Sequence, residues 1–245
     1  MSEKVLDAVR IAVIVADGFE QVEVTRPVNA LEKQGAEVEI VSLRPGSIQG
    51  MNLLFPGKKV HVDQTVFTAD PNDYDGLLIP GGYVSPDTLR QSEAALDFVR
   101  TFDSEGKPIA TICHGPWVLI SAGLVRGRRL ASWPGIKDDV RNAGGIWVDD
   151  EVVFDDSWIS SRGPQDLRAF DKAIVAHYAL HTGRVTPRLA GDVGWGRWLV
   201  GTMAVAAAGY AVRRRLRHSD DGNARRPIGN ARGRAVKPAE FASTY

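Results

Sequence analysis

ATICHGPWVLISAG, residues Ala110 to Gly123, decides how this 245-residue chain is read. It opens on a short apolar run that suits a buried strand. Cys113 follows at once, and Gly115 and Pro116 then open an apolar helical segment containing Val118, Leu119 and Ile120. A strand breaking directly into a helix puts the thiol on a sharp turn, the mechanical idea behind nucleophile elbows. Such a turn lifts the side chain off the sheet and sets the sulfur near a helix N-terminus, whose partial positive charge favours the thiolate. A lone cysteine in an apolar run is most often inert core. It is the position that makes Cys113 a candidate nucleophile. His114, its neighbour, is either a histidine capping the helix start or a general acid or base beside the thiol, because imidazole titrates near neutrality.

Working outward, apolar strands alternate with helical patterns. VRIAVIV (Val9 to Val15) and EVEIVSL (Glu37 to Leu43) read as strands, separated by a helix with Val24, Val28 and Leu31 on one side and Gly35 as its stop. PGSIQGMNLLFPGKKVHVD reads as a small hairpin excursion. GLLIPGG (Gly76 to Gly82) is a buried strand entering a glycine turn, Pro86 to Phe102 has helical periodicity, and PIATI (Pro108 to Ile112) is the strand that delivers Cys113. Strands alternating with helices predict an α/β fold with a mostly parallel sheet covered on both faces. Ligands in such folds bind beyond the carboxyl ends of the strands, so the turns after Val15, Ile79 and Ile112 share one rim.

Two further groups fall on that rim. The glycines of Pro80 to Gly82 allow backbone N–H groups to approach a ligand closely, and two such amides would stabilise an oxyanion; an ordinary tight turn reads the same way. In DGFEQVE (Asp17 to Glu23), Glu20 and Glu23 stand three apart at a helix start. Acidic residues are common there as solvated first-turn charges, and the functional alternative places one carboxyl over Cys113.

Composition excludes several classes. Thirty basic and thirty acidic residues leave no net charge, so a whole-chain nucleic-acid footprint is absent and no specific nucleic-acid binding is expected. One cysteine excludes an internal disulfide framework and a paired-cysteine zinc site. No metal or cofactor is expected. The opening MSEKVLDAVR does not read as a secretion signal, which makes the cytoplasm the expected compartment.

These blocks resemble the PfpI family, a branch of the wider group containing the DJ-one proteins within the class I glutamine amidotransferase-like superfamily. The likeness spans roughly Val9 to Leu180 and rests on DGFEQVE, LLIPGG, EGKPIATICHGPWVLISAGLVRGR, SWPGIKDDVRNAGGIWVDDEVV and WISSRGPQDLRAF. It implies a flavodoxin-like three-layer sandwich over residues 9–182 and a homo-oligomer, a dimer or a hexamer of dimers. It further implies Cys113 as nucleophile, His114 beside it, Glu20 as the carboxyl contacting the cysteine, and Gly81 and Gly82 as the oxyanion-hole loop. Asp87 falls where some members place a carboxylate that reaches the histidine of a neighbouring subunit; it is shorter than the glutamate familiar there, and the loop before it is one residue longer. Tyr83 and Trp117 would line the pocket, with Trp133 and Pro134 at its rim. The implied activities are a cofactor-free glyoxalase or a deglycase acting on small aldehydes and glycated protein or peptide, or an intracellular cysteine peptidase. A non-enzymatic oxidative-stress sensor or chaperone is the remaining reading.

The composition changes after Thr182. Residues 183–192 read as a linker. Residues 193–217 read as an apolar helix with a basic end, with Trp195 and Trp198 on one side and Arg213, Arg214, Arg215 and Arg217 on the other. The twenty positions from Val193 to Val212 are near the length needed for a hydrocarbon core of about 30 Å. The segment is a candidate for membrane contact, for an interfacial helix or for an oligomer contact. Residues 218–245 are polar, rich in Gly, Arg and Pro, and read as disordered.

Overall fold

A computed structural model describes residues 4–184. The candidate membrane segment 193–217 and the tail 218–245 lie outside the described residues.

In chain order the elements are β1 (Arg10–Ile14), β2 (Phe19–Glu20), α1 (Gln21–Lys33), β3 (Glu37–Ser42), β4 (Gly46–Asn52) and β5 (Phe55–Val62). There follow β6 (Gln64–Thr65), β7 (Gly76–Ile79), α2 (Val84–Leu89), α3 (Glu93–Ser104), β8 (Ile109–Ile112) and α4 (Pro116–Ser121). The last are β9 (Arg129–Leu130), α5 (Lys137–Asn142), β10 (Ile146–Trp147), β11 (Val153–Asp155), β12 (Trp158–Ser161) and α6 (Leu167–His181).

Seven strands form the central sheet in the order β11-β12-β8-β7-β1-β3-β6. Every neighbouring pair is parallel except β11 with β12. Period-two alternation explains the two cores. Along β1 and just beyond it, Ile11, Val13 and Val15 enter one apolar cluster with Leu31 of α1 and Phe170, Ile174 and Tyr178 of α6. Ala12, Ile14 and Ala16 enter the other, with Leu89 of α2, Val99 and Phe102 of α3 and Leu119 of α4. The result is the expected three-layer sandwich, and the near-continuous apolar runs follow from burial of the strands on both faces.

One helix differs from the sequence reading. Pro86 to Phe102 is not continuous: α2 ends at Leu89, and Ser92 begins α3 by accepting a hydrogen bond from the Ala95 N–H at 3.4 Å. A serine that caps a backbone donor starts a new helix where periodicity alone suggested continuation.

The hairpin excursion is β4 paired antiparallel with β5, and β4 also pairs with β2. This small sheet sits beside the end of β1 and supplies one wall of the site described below. Among the described residues no helix is long and apolar enough to cross a membrane.

Candidate active site

The strand ends β1, β7 and β8 bring three turns together. At the last of them Cys113 adopts φ +61°, a conformation that costs a non-glycine residue on the order of 1 kcal/mol or more. Surrounding bonds hold it there. Cys113 N–H donates to Ser161 O at 3.1 Å, Trp133 N–H to Cys113 O at 2.8 Å, and Gly115 N–H to Ile112 O at 2.9 Å. Position 115 accepts only glycine, because a Cβ would collide with Ile79 O and Thr111 Oγ1. The elbow inferred from the sequence is therefore present, and its strain is fixed by the strands on either side.

Cys113 is 6% exposed. The Gly82 and His114 backbone N–H groups donate to its sulfur and lower its pKa. Burial outweighs them and pushes the thiol up, as does any charge on Glu23. These two amides supply the stabilisation expected from a helix N-terminus; α4 itself is only six residues long.

The carboxyl beside the sulfur belongs to Glu23, which corrects the expectation for Glu20. Glu23 is fully buried. Its Oε2 accepts the Gly81 N–H at 2.9 Å, and its carboxyl interacts with the Cys113 thiol. Its Oε1 is buried with no hydrogen-bond partner of ordinary geometry. Burial raises its pKa to about 8, with hydrogen bonds from Cys113 and Gly81 opposing. A buried carboxyl oxygen without a donor disfavours charge and favours a proton, which can then be donated onward. Glu20 faces elsewhere: its Oε2 accepts the Leu53 N–H of the β4–β5 turn at 3.0 Å. The reason lies in the helix boundary. α1 starts at Gln21, so Glu20 stays in the extended β2 while Glu23 occupies the first turn.

The glycine loop also divides its roles differently from expectation. The Gly81 N–H is engaged by Glu23, which leaves Gly82 and His114 as the amides at the sulfur. Gly81 is the spacer between the Glu23 carboxyl and Cys113: a Cβ there would collide with Glu23 Oε2 and lie 2.5 Å from Cys113 Cβ.

His114 Nδ1 lies 3.3 Å from Cys113 Sγ. Its ring is half-buried among Tyr83, Trp117 and Trp133, with centroids 6.3, 5.0 and 6.0 Å away. Burial lowers its pKa, and Asp139 opposes that shift. Trp117 Nε1–H donates to Asp139 Oδ2 at 2.8 Å, so this carboxylate is fixed behind the tryptophan that packs on the imidazole. Asp87 lies in the first turn of α2, where Gln91 Nε2 donates to its Oδ2 at 3.2 Å.

A cavity of about 830 Å³ opens over Cys113 and His114. Tyr83 and Trp133 line it, as the sequence suggested; Trp117 and Pro134 do not, because Trp117 sits behind His114 and Pro134 turns into a short helical turn. The far wall comes from Gln49, Met51 and Leu53 of the hairpin and from Pro164 and Gln165 before α6. Spacing gives no signal for these, since tertiary folding alone brings them over Cys113. Among the described residues no cluster of His, Cys, Asp and Glu could hold a metal ion.

The sequence profile of the DJ-1/PfpI family matches residues 9–177, which spans the whole of this arrangement. The chain belongs to the DJ-1/PfpI family. A Pyrococcus abyssi protein named a deglycase is 46% identical over 166 residues, 68% of this chain and 97% of that protein. A Bacillus subtilis protein whose name assigns it provisionally to the cysteine proteases is 40% identical over 164 residues, 66% of this chain and 94% of its own. The crystal structure of Drosophila melanogaster DJ-1beta superposes with a TM-score of 0.65 at 28% identity, over 70% of this chain and 90% of that one. The relatives' names connect this family to cysteine-dependent enzymes.

Proposed function

We propose that this DJ-1/PfpI chain is a cysteine-nucleophile enzyme of the deglycase or glyoxalase kind, acting on α-oxoaldehydes and on the adducts they form with amines. The observation that carries the reading is the buried Glu23 carboxyl set against the Cys113 thiol, with the Gly82 and His114 N–H groups on the same sulfur. Two adjacent buried anions are too costly, so a thiolate can form only while Glu23 keeps its proton. A pKa near 8 keeps it there at neutrality.

The thiolate adds to the aldehyde carbon, and the new oxyanion takes a proton. With an amine adduct, the C–N bond breaks and the amine leaves with a proton, giving the same hemithioacetal. The proton on that carbon is then removed and one is returned to the neighbouring carbonyl carbon through an enediol. The first carbon ends oxidised to a thioester and the second reduced to an alcohol, so no external oxidant or reductant is needed. Water cleaves the thioester to a 2-hydroxy acid and restores the thiol. His114, whose uncharged form burial favours, and protonated Glu23 are the groups within reach for these transfers. Gly82 and His114 N–H groups, already aimed at the sulfur, are placed to steady charge next to it.

The test is turnover of methylglyoxal and of casein by wild type and Cys113→Ser. Loss of aldehyde conversion by at least about a thousandfold in the serine variant, with no casein cleavage by either, supports the proposal. Casein cleavage that depends on Cys113 without aldehyde turnover points instead to a peptidase. Aldehyde turnover that survives Cys113→Ser overturns both. The expected oligomer belongs to the same proposal, and sedimentation of the full chain measures it.

A further inference from the structure

The turn of the β4–β5 hairpin is made of residues that such a turn does not favour. Asn52 pairs with Phe55, so Leu53 and Leu54 are the two residues of the turn. Two-residue turns favour Asn, Asp and Gly, which tolerate positive φ. Leu53 holds φ +58° instead, a strained conformation for a bulky side chain. The fold returns little for this choice, since Leu53, Leu54 and Phe55 are 73, 73 and 74% exposed. Three consecutive apolar residues on a solvated turn mark a contact surface. The turn is also held in place. Leu53 N–H donates to Glu20 Oε2 at 3.0 Å, Gln49 Nε2 donates to Gly57 O at 2.7 Å, and Lys58 N–H donates to Gln21 Oε1. A tip fixed in this way loses less freedom when it binds.

Charge narrows the partner. From Pro45 to Val62 the sequence has no acidic residue, and Lys58 and Lys59 follow the tip on β5. Both are exposed, and among the described residues neither is in an ion pair. A two-fold contact between copies of this chain sets the patch against itself and brings four lysines together. An apolar tip flanked by cations matches acyl chains lying beneath anionic headgroups. The C-terminal sequence repeats the combination: Trp198 to Val212 contains no charged residue, and Arg213, Arg214, Arg215 and Arg217 follow.

We propose that the β4–β5 turn is a membrane-docking tip, with Leu53, Leu54 and Phe55 entering the interface of an anionic lipid bilayer and Lys58 and Lys59 against its headgroups. The inference goes beyond the chemistry of Cys113 and does not depend on it. Leu53 also lines the cavity, so docking sets the cavity mouth at the bilayer surface.

Hydrogen exchange of the full chain, with and without vesicles, reads the tip separately from the C-terminal segment. Vesicles of phosphatidylcholine and phosphatidylserine at about 7:3 are expected to slow exchange of the amides between Asn52 and Lys59 by about fivefold or more. Vesicles of phosphatidylcholine alone are expected to leave them unchanged. In the full chain carrying Leu54→Ser and Phe55→Ser, the slowing is expected to drop below about twofold. Lys58→Gln with Lys59→Gln is expected to raise the anionic lipid needed for half protection about tenfold, a difference that shrinks at high salt. Should a variant fail to fold, the comparison of the two lipids on wild type decides alone. Exchange at the tip that anionic vesicles leave unchanged overturns the inference, even where the C-terminal segment carries the chain to them. Equal slowing by both kinds of vesicle overturns the anionic assignment. Slowing that appears on concentrating the protein without lipid gives the tip to a second copy and overturns the inference as well.

Discussion

At the N-terminal edge of the central sheet, Arg10, Glu39 and Tyr74 satisfy one another; at the C-terminal edge, Glu23 and Cys113 do not. Tyr74 O–H donates to Glu39 Oε2 at 2.6 Å, Arg10 Nη2 lies 3.0 Å from Glu39 Oε1, and the guanidinium sits 5.2 Å from the Tyr74 ring centroid. The tyrosine hydrogen bond, with the arginine behind it, draws the Glu39 pKa below its ordinary value. On the opposite edge, Glu23 is raised to about 8, one of its oxygens is orphaned, and Cys113 sits at positive φ. Two strands, β1 and β7, serve both edges. One edge settles its polar groups to stabilise the fold, and the other keeps its polar groups unsettled so that they can react.

The contrast fixes the sign of each edge's pH dependence. Folded Glu23 binds its proton more tightly than the unfolded chain does. Between the ordinary carboxyl value and about 8, the folded state therefore holds more protons, and this group's contribution to stability falls as pH rises through that window. Glu39 does the reverse: its contribution is present above the ordinary carboxyl value and is lost as pH falls through its lowered one.

The largest expected effect is that of Glu23→Gln. The amide keeps the acceptor for Gly81 N–H and a donor toward the sulfur but cannot exchange a proton. Aldehyde turnover should fall by about a hundredfold or more. Stability at pH 7, measured by urea unfolding, should rise by on the order of 3 kcal/mol relative to wild type, with little gain near pH 4. A variant that loses both activity and stability at pH 7 would make Glu23 a structural group and erase the difference between the edges.

Tyr74→Phe probes the settled edge. It removes a hydrogen bond to a partly buried carboxylate and is expected to cost about 1–2 kcal/mol in urea unfolding while kcat/KM stays within twofold of wild type. Loss of turnover without loss of stability would break the comparison from the other side.

Asp139→Asn should have the smallest effect. Its carboxylate opposes the lowering of His114, so its removal should let that imidazole fall further. The acid limb of the pH–rate profile is expected to move to lower pH, with the plateau nearly unchanged. An acid limb that stays in place would detach Asp139 from His114.

Much of this was legible before any coordinates. The strand that ends at Ile112, followed by Cys113 and the Gly-Pro pair, declares an elbow because the glycine and proline end the strand and open a helix at once. Continuous apolar strands declare a sheet covered on both faces. The choice between Glu20 and Glu23 was not legible, since residues three apart at a helix start look equivalent until the first helical residue is known. The split between Gly81 and Gly82 was hidden for a related reason: it depends on which N–H a carboxyl from another element reaches. The wall built from Gln49, Met51, Leu53 and Gln165 has no local signature, because its residues meet only through the fold.

The central claim is that a neutral carboxylic acid stands beside Cys113 at physiological pH. Infrared difference spectroscopy of wild type against Glu23→Gln measures it directly. The carbonyl stretch of a protonated carboxyl should be present at pH 7, be missing from the glutamine variant, and fade as pH rises through about 8. A wild-type spectrum at pH 7 that shows only ionised carboxylate at this position would contradict the account.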